Sequence, residues 1–316
     1  MKKAKRILSL AIALLMILSL STVSAFAADK TLTVSLRIEG ISSNYLYSDI
    51  SLGSISEGDE ISLASLLSYV DEARDDLTIK GLDSGYITEI NGDKAGTHSD
   101  TKWDGWYYTV NGISPSVGIS QYNLSDGDKI VIYYGDYPCQ LPEIDTSWFA
   151  AKGVIRFTST DTAYEYDEET DSWIQNTVTA PISNMKVTLD KGLEFTTDEN
   201  GEIKVDLSKY KFNESFINLQ VSKVNSYGAP TVCRYAPDFT ISAPVRNCKL
   251  YGDVDLNGKV NILDATLVQL GLAELDEITP EQFIAGDVNI DYNLTINDAT
   301  NIQLYLADLI SELPVK

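Results

Sequence analysis

Gly252-Asp253-Val254-Asp255-Leu256-Asn257-Gly258-Lys259-Val260-Asn261-Ile262-Leu263-Asp264-Ala265-Thr266 decides the reading of this chain, because it returns as Gly286-Asp287-Val288-Asn289-Ile290-Asp291-Tyr292-Asn293-Leu294-Thr295-Ile296-Asn297-Asp298-Ala299-Thr300. A hard cation of calcium's size takes roughly six to eight oxygens, and a twelve-residue loop delivers them from positions 1, 3, 5, 7, 9 and 12, with a sharp turn at position 6. The first copy supplies Asp253, Asp255, Asn257, the backbone carbonyl of Lys259, Asn261 and Asp264 in those places, with Gly258 at the turn. The second supplies Asp287, Asn289, Asp291, the carbonyl of Asn293, Thr295 and Asp298, but has Tyr292 where the glycine should be. A positive φ costs a non-glycine residue on the order of 1 kcal/mol. The second site is therefore expected to be the weaker or more distorted of two calcium sites.

One isolated Asp/Asn/Gly run is usually only a turn. Here there are two, and each opens into a helical pattern. Ala265, Val268 and Leu272 follow the first, and Ala299, Ile302, Leu306 and Leu309 the second, all at helical spacing. Val260 and Leu294, at position 8, are expected in a small shared core. Between the copies, Thr279-Pro280-Glu281-Gln282 has the capping residue, first-turn proline and third-position glutamine of a short linking helix.

No helix precedes either loop, and this duplicated loop-then-helix pattern resembles a type I dockerin over about 250–311. The resemblance implies two Ca2+ ions, folding that depends on them, and binding to a cohesin module of a scaffoldin. It also places partner recognition at Ile262, Leu263, Gln269 and Leu270 in one copy and at Ile296, Asn297, Gln303 and Leu304 in the other. Leu263 against Asn297 breaks the symmetry of the two faces. Intramodule packing is the competing role for these aliphatics, chiefly Ile262 and Ile296.

At the other end, Lys2, Lys3, Lys5 and Arg6 precede an apolar run from Ile7 to Leu20 and a small-residue stretch ending Ala25-Phe26-Ala27. This is the pattern of a signal peptide at 1–27, shorter than a membrane span, and it predicts a secreted chain. The net charge of −22 excludes nucleic acid as a natural partner. Acidity of this kind serves solubility, cation binding, or both. Cys139, Cys233 and Cys248 permit one disulfide, with no pairing preferred by the sequence. The single histidine, His98, reads as a loop residue, which argues against Ser-His-Asp or Cys-His catalysis.

Punctuation near Tyr137-Pro138 and Ala243-Pro244 divides the remainder. Over 31–137, Leu32, Val34, Leu36 and Ile38 alternate as a half-buried strand. Ser56-Glu57-Gly58-Asp59 then leads to a helix with Leu63, Leu66, Leu67 and Val70 on one face. Strands are expected at Tyr86–Ile90, Trp106–Val110 and Lys129–Tyr134. Trp103-Asp104-Gly105-Trp106-Tyr107-Tyr108-Thr109-Val110-Asn111-Gly112 and the stretch Tyr122 to Ile130 resemble the domain of unknown function that is similar to the C-terminal part of transcobalamin, which implies a β-grasp-like fold. Over 145–246, strand patterns at Gly153–Phe157, Met185–Leu189, Ile203–Leu207 and Ile217–Val221, with no helical stretch, predict an Ig-like or transthyretin-like β-sandwich spacer.

The expected fold is thus multidomain, mainly β and α+β: a β-grasp-like domain, a β-sandwich and, over 248–316, a small all-α dockerin. The expected function is that of a secreted, non-catalytic subunit of a cellulosome- or amylosome-like complex for polysaccharide degradation. The alternatives are a carbohydrate-binding accessory protein and a glycoside hydrolase component. Hydrolysis needs two carboxylates across a cleft, for which two small β-rich units leave little room. Trp103, ahead of its strand, is the candidate for sugar contact; Trp106 reads as core.

Overall fold

The computed structural model describes residues 30–315 apart from 56–59, 168–171, 211, 213 and 235–239. The expected leader at 1–27 and the turn at 56–59 lie outside the described residues. Among those described, no helix is long and apolar enough to cross a membrane.

The alternation read from Leu32 to Ile38 becomes strand β1 (Lys30–Glu39), with those four side chains buried and the intervening ones half-exposed. β1 pairs antiparallel with β2 (Asn44–Ile55) and parallel with the distant β7 (Lys129–Gly135), which in turn pairs with β6 (Gly105–Val110). The order β2-β1-β7-β6 leaves one face for the helix α1 (Leu63–Ala73), started by the Ser62 hydroxyl accepting the Ser65 N–H. Leu63, Leu66, Leu67 and Val70 of α1 share a core with β1, Ile130 and Ile132. Each buried leucine contributes about 1.5–3 kcal/mol. A sheet with a central parallel pair crossed by one helix is the β-grasp arrangement expected.

The strand expected over Tyr86–Ile90 is reduced to β4 (Glu89–Ile90), between β3 (Ile79–Lys80) and β5 (Asp93–Lys94). The chain first curls through a 3-10 turn at Leu82–Ser84, so Thr88 N–H already donates back to Lys80 O and ladder pairing begins only after it.

The middle segment forms two sheets over one core. β8 (Glu143–Asp145), β9 (Val154–Asp167), β10 (Ser172–Pro181) and β13 (Glu202–Lys204) make one. β11 (Lys186–Leu189), β12 (Leu193–Thr196), β14 (Phe216–Ser222) and β15 (Thr240–Ser242) make the other. Ile155, Phe157, Met185, Val187, Ile203, Ile217 and Leu219 meet between them, as in a sandwich. Three details depart from the sequence reading. The strand expected over Ile203–Leu207 ends at Lys204, because the chain then leaves the ladder into a turn in which Asp206 accepts from the N–H groups of Ser208 and Lys209. β10 was not legible as a strand. A one-turn helix α2 (Phe149–Lys152) interrupts the β pattern, with Phe149 and Ala151 buried.

The C-terminal segment holds α3 (Ile262–Leu272), α4 (Pro280–Gly286) and α5 (Ile296–Leu306). Thr279 and Gln282 cap α4 reciprocally, as their spacing predicts. Val254, Ala265 and Val268 from one copy meet Val288, Ala299 and Ile302 from the other, with Val260, Leu294 and Leu313 packed around them. Leu272, Leu306 and Leu309 do not join this core. They are exposed, because it closes at Val268 and Ile302, about midway along the two helices.

Cys139, Cys233 and Cys248 are thiols and not disulfide partners, and Cys139 and Cys233 lie in one small cluster with Tyr133 and Tyr107. Burial pushes the Cys139 thiol well above its ordinary value. His98 sits in a surface bend, its Nδ1 2.8 Å from the Thr97 hydroxyl.

Candidate metal centre

Each loop is built by the carboxylate at its end. Asp264 is fully buried and accepts three backbone N–H groups: Val254 (2.8 Å) and Asp255 (3.1 Å) on Oδ1, and Asn261 (2.8 Å) on Oδ2. Asn261, in turn, accepts the Leu263 N–H and starts α3. One residue pair therefore caps the helix and fastens both ends of the loop. The second copy repeats this: Asp298 takes Val288 N–H (3.1 Å) on Oδ1 and the N–H and hydroxyl of Thr295 on Oδ2, while Thr295 caps α5. Burial pushes the Asp298 carboxyl up from its ordinary value, with the two Thr295 donors acting the other way.

The opening carboxylates repeat as well. Asp253 accepts Asn257 N–H (3.0 Å) and Gly258 N–H (2.9 Å); Asp287 accepts Asp291 N–H (3.1 Å) and Tyr292 N–H (2.9 Å). Gly258 has φ +87° with open space where a side chain would go, and Tyr292 takes the same left-handed conformation at φ +64°. Position 4 is left-handed too, at Leu256 (+60°) and Ile290 (+55°), a feature the sequence reading missed because neither residue signals it.

Among the described residues, Asp253, Asp255 and Asp264 form the group of carboxylates that brings one oxygen from each within 4.8 Å of the others. An all-oxygen, anionic set of this kind fits a hard divalent cation and suits neither soft metals nor zinc. Asn257, Lys259 and Asn261 lie on the same loop, and Asn289, Asp291, Asn293 and Thr295 occupy the corresponding places in the second.

Most of the residues expected at a partner surface are exposed, and Leu304 is not. Ile262 and Ile296 are 56% and 55% exposed and stand outside the module's buried core. Leu263, Gln269, Asn297 and Gln303 are exposed; Leu270 is at the edge of exposure and Leu304 is half-buried. Two further pairs, not found from sequence, repeat between copies: Leu272 with Leu306 (41% and 38% exposed) and Leu275 with Leu309 (75% and 70%). Their recurrence at equivalent places in the repeat was the available signal.

In the first unit, Trp103 is 62% exposed and its ring lies 5.7 Å from that of Tyr137, also exposed. Trp106 and Tyr108 pack against the core as alternation requires, while Tyr107 lies on the opposite face against Tyr133.

Two acidic loops, each feeding a helix and joined back to back through one small core, define a duplicated loop-helix module. Residues 251–307 match the dockerin type I domain, and this segment of the chain belongs to that family. Type I dockerins are calcium modules, and the acidic cluster lies within the matched residues. Residues 64–136 match a domain of unknown function, DUF4430. No curated protein matches the chain. Several solved structures show similarity, among them the following three. One chain comes from the complex of the third ScaB cohesin of R. flavefaciens with a group 1 dockerin, at 37% identity over 21% of this chain and 99% of that one, TM-score 0.20. Another comes from the complex of the third ScaC cohesin with a mutated ScaB dockerin of Acetivibrio cellulolyticus, at 33% identity over 21% and 92%, TM-score 0.20. The third is haptocorrin in complex with Cbi, at 18% identity over 37% and 28%, TM-score 0.28.

Proposed function

We propose that this chain is a secreted, non-catalytic subunit that docks through its dockerin, with one calcium ion in each loop, onto a cohesin module of a scaffoldin in a polysaccharide-degrading assembly. The carrying observation is the exposed aliphatic set Ile262, Leu272 and Leu275, repeated with nearly equal exposure as Ile296, Leu306 and Leu309. Aliphatic side chains left outside the module's own core are what a partner surface requires. The repetition supports two related docking faces, with Leu263 and Asn297 as their main difference. In this reading 1–27 is the leader, 31–137 and 145–246 are the carried units, and 248–316 is the anchor. The test is titration of the full chain with purified cohesin modules in calcium and in chelator. Binding in calcium alone, lost in the double variant Ile262→Asp, Ile296→Asp, supports the proposal. Binding that survives chelator refutes it.

The exposed Trp103 beside Tyr137 favours a second role, contact with sugar rings by the first unit. Trp103→Ala should abolish retention on insoluble polysaccharide while leaving the melting temperature unchanged; undiminished retention excludes it.

A further inference from the structure

The second loop has a neighbour that the first lacks. Arg246, in the segment leading out of the sandwich, places Nη1 2.7 Å from Asp287 Oδ2 and Nη2 3.4 Å from Ile284 O. Its guanidinium lies 4.8 Å from the centre of the Tyr292 ring. Both partners of the ion pair are buried, Arg246 to 9% exposure and Asp287 to 0%. Among the described residues, no cation is paired with Asp253, the equivalent carboxylate of the first loop.

Tyr292 also reaches outside its module, packing against the core of the sandwich. Trp148, next to α2, sets its ring edge-on to Phe283 of α4 at 5.9 Å. The residue that replaces the turn glycine, the first carboxylate of the loop and the linking helix thus all touch the same neighbour. The tyrosine's conformational cost is offset by a contact that glycine could not make.

A buried guanidinium on a carboxylate supplies positive charge where a divalent ion would supply it. When the ion enters, the two cations share one carboxylate, and in a buried setting their repulsion is weakly screened. We propose that Arg246 is a resident countercation of the second loop. It lowers that loop's calcium affinity in the intact chain and couples filling of the loop to the seating of the dockerin on the sandwich. By reciprocity, whatever loosens the seating tightens the ion, and the reverse. The inference rests on the calcium reading of both loops.

Calorimetric titration of the full chain with calcium tests it. The wild type should show two unequal events, the stronger assigned to the first loop by its loss in Asp253→Ala. Arg246→Gln should tighten the weaker event by about ten-fold and leave the stronger unchanged, whereas Arg246→Lys, which keeps the charge, should stay near wild type. If Arg246→Gln does not fold, Arg246→Met keeps the stem on Tyr292 and makes the same prediction. A weaker event that is unchanged or further weakened without the charge overturns the countercation, even with both sites intact. No calcium uptake by the wild type overturns the calcium reading and the inference with it.

Discussion

Replacing Asp264 by alanine separates two duties that this carboxylate combines. It is a candidate calcium ligand, and it is the buried acceptor for Val254, Asp255 and Asn261 N–H groups. Leaving a buried donor unpaired costs about 1–3 kcal/mol. Val254 is fully buried, whereas Asp255 and Asn261 reach some water, so the three together come to roughly 3–5 kcal/mol. Asp255 offers the control: it is exposed, and among the described residues its oxygens accept only from Asn257. Asp255→Ala and Asp264→Ala each remove one carboxylate from the loop. Denaturant unfolding in saturating calcium, followed by far-ultraviolet circular dichroism, should therefore find Asp264→Ala less stable than Asp255→Ala by about 2–4 kcal/mol. Asp264→Asn, with one acceptor oxygen remaining, should fall between them. Equal stability of the two alanine variants would refute the structural duty and reduce Asp264 to a ligand.

Gly258→Ala meets no neighbour but must hold φ +87°, so it should cost about 1 kcal/mol and weaken the first calcium event roughly five-fold by titration calorimetry. Leu67→Ala, in the buried face of α1, should lower the stability of the first unit by about 2–5 kcal/mol in denaturant unfolding. Burial raises the carboxyl of Glu39 to about 7, against the opposing pull of Arg234 and Arg37. Unfolding returns it to about 4.5, so between those values the folded chain keeps a proton that the unfolded chain releases. Its contribution is full at low pH and is lost as pH rises through about 7, so the wild type should lose more stability than Glu39→Gln between pH 5 and pH 8 in pH-resolved melting curves.

The features most legible in the sequence are those fixed by neighbours along the chain. The apolar face of α1, the cap of α4 and the paired loops depend on spacings of a few residues, and they stand where those spacings place them. β10 was missed because it pairs along its length with β9 while Ile174 and Val178 stay exposed, so no clean alternation of buried and polar residues marks it. Tyr292 was read only as a missing glycine. Its partners, Arg246 and the sandwich core, are distant in sequence, and nothing local announces them. The outward aliphatics of the dockerin mislead for a related reason: helical spacing marks Leu272 and Leu306 as apolar, but only the packed fold reveals that the small core is full before it reaches them.

The segment after α5 folds back on the starts of both loops. Leu313 joins the module core, Val315 N–H donates to Val288 O at 2.7 Å, and a methyl group added at Gly252 would stand 2.7 Å from Leu313 Cδ1. The path that enters the module therefore leaves it at the same place. A circular permutant follows, with positions 250 and 315 bridged by a short linker and new ends opened in the exposed turn at 274–277, so that each loop-helix unit becomes terminal on its own side.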